Sequence, residues 1–232
     1  MILSDKFGKE YIESDALFVR CQGSTWKYYY DGLYSKVFKR FLDVFLSLLM
    51  IAPAIVLMIP FALLIALNGT SPLCFQNRVG KGGRIFRMIK LRSMCVNAEN
   101  RVQSDLASNP DKKQEWEASQ KLQRNPRISL VSNFIRRTSI DELPQLFNVL
   151  MGHMSLVGPR PIMEDQLPLY RTDEYFLIRP GITGEWQLSG SDIVDLSERA
   201  HSDKAYYSKM SFWYDSKLLT RTIKFVFRTR GF

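Results

Sequence analysis

Between Val44 and Leu67 the chain carries no charged residue, and this apolar run is the strongest pattern in the sequence. At about 1.5 Å per helical residue it is long enough for a hydrocarbon core of about 30 Å, whereas a helix buried in a water-soluble domain is usually shorter and keeps a polar face. The pattern predicts a helix anchored in a bilayer. Two features complicate a simple crossing. Pro53 and Pro60 each remove a backbone donor and crowd the carbonyl four residues earlier, which bends or breaks a helix. The basic flanks are also balanced, with Lys27, Lys36, Lys39 and Arg40 before the run and Arg78, Lys81, Arg84 and Arg87 after it. A crossing leaves one cluster on the wrong side, whereas a helix that enters, bends at Pro53 and returns leaves both on the cytoplasmic face. Crossing and re-entry both remain open at this level.

Elsewhere the patterning is that of a mixed domain. Residues 75–94 set Gly80, Gly82 and Gly83 between two segments of alternating apolar residues, which predicts a β-hairpin with a glycine turn. The GxxxxGK[ST] spacing of a phosphate-binding P-loop is absent. Residues 97–126 are polar apart from Leu106, Trp116 and Leu122 and read as an exposed excursion. Ser139-Ile140-Asp141-Glu142 has the spacing of a capping box, followed by Leu143, Leu146, Phe147 and Leu150 at helical intervals and a stop at Gly152, so a helix is expected to begin near Ser139. Near the end, Phe212, Trp213, Leu218, Leu219, Ile223, Phe225, Val226 and Phe227 alternate with Lys217, Arg221, Lys224, Arg228 and Arg230. That pattern suits a basic helix lying in a membrane interface, and equally an amphipathic helix packed on the core.

Composition narrows the setting. Lys and Arg number 32 against 23 Asp and Glu, a formal charge of +9 that favours anionic partners such as lipid, phosphate-bearing metabolites or nucleic acid. No nucleic-acid-binding motif accompanies the charge. Three cysteines without CxxC or Cys/His spacing support neither a disulfide framework nor a zinc site, so a reducing compartment is expected. Asp5, Lys6, Lys9, Glu10 and Glu13 make the start too polar for a secretory signal.

Candidate chemistry gathers in IRRTSIDELPQLFNVLMGHMSLVGPRP, residues 135–161. Asp141 and Glu142 admit a plain account, as a helix cap and a favourable charge at a helix start. They also lie beside Arg136 and Arg137, downstream of Lys90 and Arg92 and upstream of Arg160. Such a set of both signs suits phosphates and a divalent cation, and phosphoryl transfer is the chemistry it can support. Arginine grips two phosphate oxygens with a planar fork, and prolines on both sides of Arg160 stiffen the loop that presents it.

On these residues the sequence resembles the bacterial sugar transferases, small monotopic phosphoglycosyl transferases. The resemblance runs from about Tyr34 to the C-terminus, through KRFLDV, FQNRVG, FRMIKLRSM, RRTSIDELPQLFNVLMGHMSLVGPRP and RPGITG. It implies an α+β, mainly helical fold with a re-entrant helix-break-helix, interfacial amphipathic helices and a small β-hairpin element. It implies an N-terminal extension over 1–33, whose role stays open, and a transferase domain over 34–232. That domain has its re-entrant helix at about 36–68 and its cytoplasmic catalytic part at about 69–232. The implied reaction moves a sugar 1-phosphate from a nucleotide-sugar, usually a UDP-sugar, to polyprenyl phosphate and releases UMP. Asp141 is implied as the nucleophile and Glu142 as its assistant, with Mg2+ on that dyad. Lys90, Arg92, Arg136 and Arg160 are implied as phosphate or substrate contacts, and Pro53 as the membrane break. The implied partners are the nucleotide-sugar donor, the polyprenyl phosphate acceptor and membrane lipid, with no nucleic acid. The implied location is the cytoplasmic face of the bacterial inner membrane, and the oligomeric state is left open, a homodimer included. Ala52 stands where relatives carry a serine before the proline, and Glu185 and Ser191 depart from the pattern of relatives, so the sugar is not assigned. A non-catalytic membrane adaptor that binds anionic lipid or a glycan-assembly partner is the competing reading.

Overall fold

The computed structural model describes residues 34–67, 69–93, 130–170, 172–189 and 196–227. The extension over 1–33, the polar stretch 97–126 and Ser191 lie outside the described residues.

Helix α1 runs from Lys39 to Leu67, after one wider helical turn over Tyr34–Phe38. It stays helical through Pro53 and Pro60. A proline removes one internal hydrogen bond and permits a bend without ending the helix. One stripe, Lys39, Asp43, Ser47, Ala54 and Ile65, is buried against the rest of the protein. Around it Phe41, Phe45, Leu49, Val56, Leu63 and Leu67 are exposed, Val56 by 70% and Leu67 by 83%. An apolar surface of this extent calls for a cover, and lipid is the cover its composition suits.

The charged residues of KRFLDV account for the seating of α1. Lys39 Nζ reaches Asp215 Oδ2 at 2.6 Å and donates to the Val157 carbonyl at 3.0 Å. Asp43 Oδ1 accepts from Ser155 Oγ and from the Leu156 amide, each at 3.0 Å. Arg40 donates to the carbonyls of Val149 and Leu150 at 2.7 and 3.1 Å. Those carbonyls close a helix described below, where a cation is favoured by the helix dipole.

The expected hairpin is present. Strands β1 (Leu73–Val79) and β2 (Ile85–Leu91) pair antiparallel, in a register that sets Cys74 opposite Lys90, Gln76 opposite Met88 and Arg78 opposite Phe86. Side chains opposite one another share a face, so Arg78, Met88 and Lys90 lie on the same side of the hairpin. Gly82 and Gly83 take positive φ in the connecting turn.

The helix expected to begin at Ser139 is arranged differently. Helix α2 (Leu130–Arg137) ends there: Thr138 and Ser139 donate back to Phe134 and Arg136, and Ser139 sits in the left-handed region at φ 55° without a side-chain cap. A residue closing one helix in that conformation cannot also take the extended backbone of an N-cap. Ile140–Glu142 therefore form a separate 3-10 turn, and helix α3 (Gln145–Leu150) starts only after Pro144. Gly152 ends it with φ 85°, as expected.

Strand β3 (Ser155–Val157) pairs parallel with β4 (Gly181–Thr183), with the short helix α4 (Glu174–Leu177) between them. Helices α5 (Leu196–Lys209) and α6 (Phe212–Phe227) complete an α+β, mainly helical domain. Its main core joins Leu146, Val149, Met154, Leu156, Val157, Tyr206 and Leu218. Helix α6 is packed on the core along one face, as one of its two readings expects, and the interfacial reading is not decided by this. Asp215 and Leu218 are buried, while Phe212, Ile223 and Trp213, the last 80% exposed, face outward.

Candidate active site

The turn bearing Asp141 and Glu142 is held from below by Ile140, which packs with Ile65, Leu91 and Ile135. Its two carboxylates are differently partnered. Glu142 Oε1 lies 3.6 Å from Lys90 Nζ of β2. Asp141 Oδ2 accepts from Ser93 Oγ at 3.3 Å. Burial raises the Asp141 pKa above the usual aspartate value and repulsion from Glu142 adds to this, against the pull of Lys90 and Arg136 and the Ser93 hydrogen bond. A carboxylate pushed up in this way is a more basic nucleophile than a solvated one.

Asn148 fixes the hairpin relative to this turn. It is fully buried on α3; its Oδ1 accepts from the Ile89 amide at 2.9 Å and its Nδ2 donates to the Arg87 carbonyl at 2.8 Å. Lys90 is the next residue along β2, so its height above Glu142 is set by a buried side-chain amide.

Facing the dyad is the loop after β3. Gly158 donates to the Thr183 carbonyl at 2.8 Å and Gly181 to that of Pro159 at 2.7 Å. The two backbones approach so closely that a Cβ on Gly158 would meet the Arg179 carbonyl oxygen at 2.5 Å, and one on Gly181 the Gly158 nitrogen at 2.1 Å. Glycine is required at both positions by space rather than by φ. The loop thus rests rigidly on RPGITG and presents Arg160 to a cleft shared with Arg78, Lys90, Glu142, Gln145 and Gln187.

Of the residues singled out from sequence, Lys90, Glu142 and Arg160 line this cleft; Asp141 is not part of its lining but lies near enough to Glu142, Lys90 and Arg136 for their charges to act on it. Arg92 is occupied elsewhere, its Nε donating to the Ser71 carbonyl at 2.8 Å. Glu185 reaches toward α5, with Lys209 Nζ 3.9 Å away. Arg78, Ser93 and Gln187 were not anticipated; the alternation of β1 held a signal for Arg78, whereas Ser93 and Gln187 carried none.

Among the described residues no three His, Cys, Asp or Glu gather at one point. Asp141 and Glu142 nevertheless fit magnesium, which usually takes one or two protein carboxylates and completes its shell with phosphate oxygens and water. The net upward push on Asp141 is what a cation there would relieve.

Residues 34–229 match the family model described as bacterial sugar transferase. The chain belongs to that family. Among similar proteins are the undecaprenyl-phosphate galactose phosphotransferase of Salmonella typhimurium, 42% identical over 85% of this chain and 42% of its own. The UDP-glucose:undecaprenyl-phosphate glucose-1-phosphate transferase of Escherichia coli is 34% identical over 82% of this chain and 40% of its own. The exopolysaccharide production protein ExoY of Rhizobium meliloti is 37% identical over 83% of this chain and 87% of its own. The sugar transferase chain thus spans under half of the first two relatives and most of the third.

Proposed function

We propose that this chain transfers a sugar 1-phosphate from a UDP-sugar to polyprenyl phosphate, an early membrane step of bacterial glycan assembly. The observation that carries the reading is the Asp141 carboxylate, raised in basicity by burial and by Glu142, beside a cleft lined by Lys90 and Arg160.

An Asp141 oxygen attacks the phosphorus next to the sugar, the bond from that phosphorus to the bridging oxygen breaks, and UMP departs with the electron pair. The sugar phosphate is left as an acyl phosphate on Asp141. An oxygen of polyprenyl phosphate then attacks the same phosphorus, forming polyprenyl-diphosphate-sugar and returning the carboxylate. Lys90 and Arg160 hold phosphate oxygens as charge develops, and Arg136 counters the Asp141 charge. Asp141 and Glu142 would hold magnesium, which when bound neutralises phosphate oxygens.

The acceptor phosphate stays at the water interface while its chain stays in lipid, so an active site at that height meets both substrates. Re-entry of α1 from the cytoplasmic face of the inner membrane fits this need. It is supported by the packing of both halves of the helix on one body. Leu46 joins the core around Val149, Ile65 joins that around Ile135, and Leu143 packs against both. Exposed Phe212, Trp213 and Ile223 on α6, interspersed with Lys217, Arg221 and Lys224, suit lipid headgroups.

The test is UMP release by the detergent-solubilised protein supplied with polyprenyl phosphate, magnesium and a panel of UDP-sugars that includes UDP-galactose and UDP-glucose. Release with one donor is expected. No release with any donor would sink the reading.

A further inference from the structure

Arg78 on β1 is half-buried and poorly provided for. Its Nη2 donates to Gln76 Oε1 at 2.9 Å, while its Nε is buried with no acceptor. Its charged surroundings are mostly cationic: burial, Arg160 and Arg199 together push its pKa down to about 10, against a weaker opposing pull from the exposed Asp165. Among the described residues none of Arg78, Arg160 and Arg199 forms an ion pair with a carboxylate.

The crowding of these cations is fixed by the fold. Val79 donates to the Ile162 carbonyl at 3.0 Å, tying the end of β1 to the Arg160 loop. Tyr175 clamps the same point, its hydroxyl donating to the Val79 carbonyl at 2.6 Å and accepting from the Ile162 amide at 3.1 Å. Arg199, stacked over the Tyr170 ring at 5.4 Å, donates to the Arg160 carbonyl. Arg199 gives Nη2 to the backbone and, although its Nε too is buried without an acceptor, it does not line the cleft, whereas Arg78 and Arg160 do. Gln187 Oε1 borders it, buried and likewise without a partner.

We propose that Arg78 and Arg160 form a second phosphate subsite, separate from the Lys90 and Glu142 end of the cleft, which grips a phosphate group other than the one Asp141 attacks. The proposal rests on the transfer reading above. Arg78 and the partner of Lys90 lie four residues apart on β1, about 13 Å, a gap that two long side chains shorten. The two basic groups thus sit at different points along the cleft. A phosphate in the cleft meets the guanidinium groups of Arg78 and Arg160 that line it, and supplies the negative charge that these two groups need. The same chemistry is offered by the phosphate that leaves with the nucleotide and by the phosphate of the polyprenyl acceptor.

The experiment is equilibrium binding of UMP and, separately, of a short-chain polyprenyl phosphate to the full chain in detergent, for wild type, Arg78→Gln and Arg78→Lys, with thermal unfolding of each. Arg78→Gln is expected to weaken one ligand about tenfold or more, and Arg78→Lys, which keeps the charge but not the fork, by less. Loss in the UMP arm assigns the subsite to the nucleotide phosphate, and loss in the acceptor arm to the lipid phosphate. Because the glutamine relieves repulsion, the unliganded variant should unfold at the wild-type temperature or higher, whereas a merely structural arginine would lower it. Unchanged affinity in both arms overturns the subsite while leaving the transfer reading intact. A wild type that binds neither ligand overturns both.

Discussion

Lys39 Nζ and Asp215 Oδ2 lie 2.6 Å apart in a buried setting, although 176 positions separate them. The Tyr34 and Tyr206 hydroxyls donate to the same carboxylate at 2.7 and 2.8 Å. One charge thus latches the start of α1 to α6 across the domain. Lys39→Met strands Asp215 without its cation and is expected to cost about 3–5 kcal/mol. Lys39→Met combined with Asp215→Asn, which removes both charges and keeps a carbonyl for a tyrosine, should cost less than Lys39→Met alone. Unfolding in detergent measures both.

The Asp141 carboxylate should titrate above the range of a solvated aspartate, because burial and Glu142 raise it. It must be ionised to attack, so the rate of the first UMP turnover should fall on acidification, and magnesium held by the carboxylate should shift that limb to lower pH. Glu142→Gln removes the repulsion and should move that limb to lower pH, and Lys90→Met should move it higher. Stability runs the other way. The raised group favours folding below its unfolded pKa, and this advantage is lost as pH rises through the folded value. Asp141→Asn should therefore gain stability over wild type at neutral pH and not in acid, by unfolding at each pH.

Gly158→Ala sets a methyl group 2.5 Å from the Arg179 carbonyl oxygen, in a contact between two backbones that has no slack. The loop must move, and Arg160 with it. A displacement of about 1 Å in a group that positions the substrate can cost about a hundredfold in rate. Overpacking adds about 1–3 kcal/mol of destabilisation. Single-turnover rates and unfolding should register both.

Tags placed before Lys36 and after Arg92 should both report the cytoplasm if α1 re-enters. Accessibility labelling in intact cells reads this, and labels on opposite sides would restore a simple crossing.

The hairpin and the apolar helix were legible because alternation and uninterrupted hydrophobicity are local signals. So were Lys90, Glu142 and Arg160, whose chemistry and motifs pointed to the cleft that they line. The start of α3 was misread because Ser139 has the residue type and spacing of a cap while its backbone closes the preceding helix. The β3 and β4 pair escaped notice since three-residue strands have no period, and their contact depends on glycines remote in sequence. Arg78 and Arg92 illustrate the remaining gap. Both are basic residues near the same hairpin, and only tertiary structure tells that one faces the cleft and the other is tied to Ser71.

The most direct test of the central claim is intact-protein and peptide mass spectrometry after incubation with the productive UDP-sugar and magnesium, without polyprenyl phosphate. The account predicts a phospho-sugar adduct on the peptide containing Asp141, absent in Asp141→Asn and discharged when polyprenyl phosphate is added. UMP release at the full rate from Asp141→Asn, or an adduct on another residue, would contradict it.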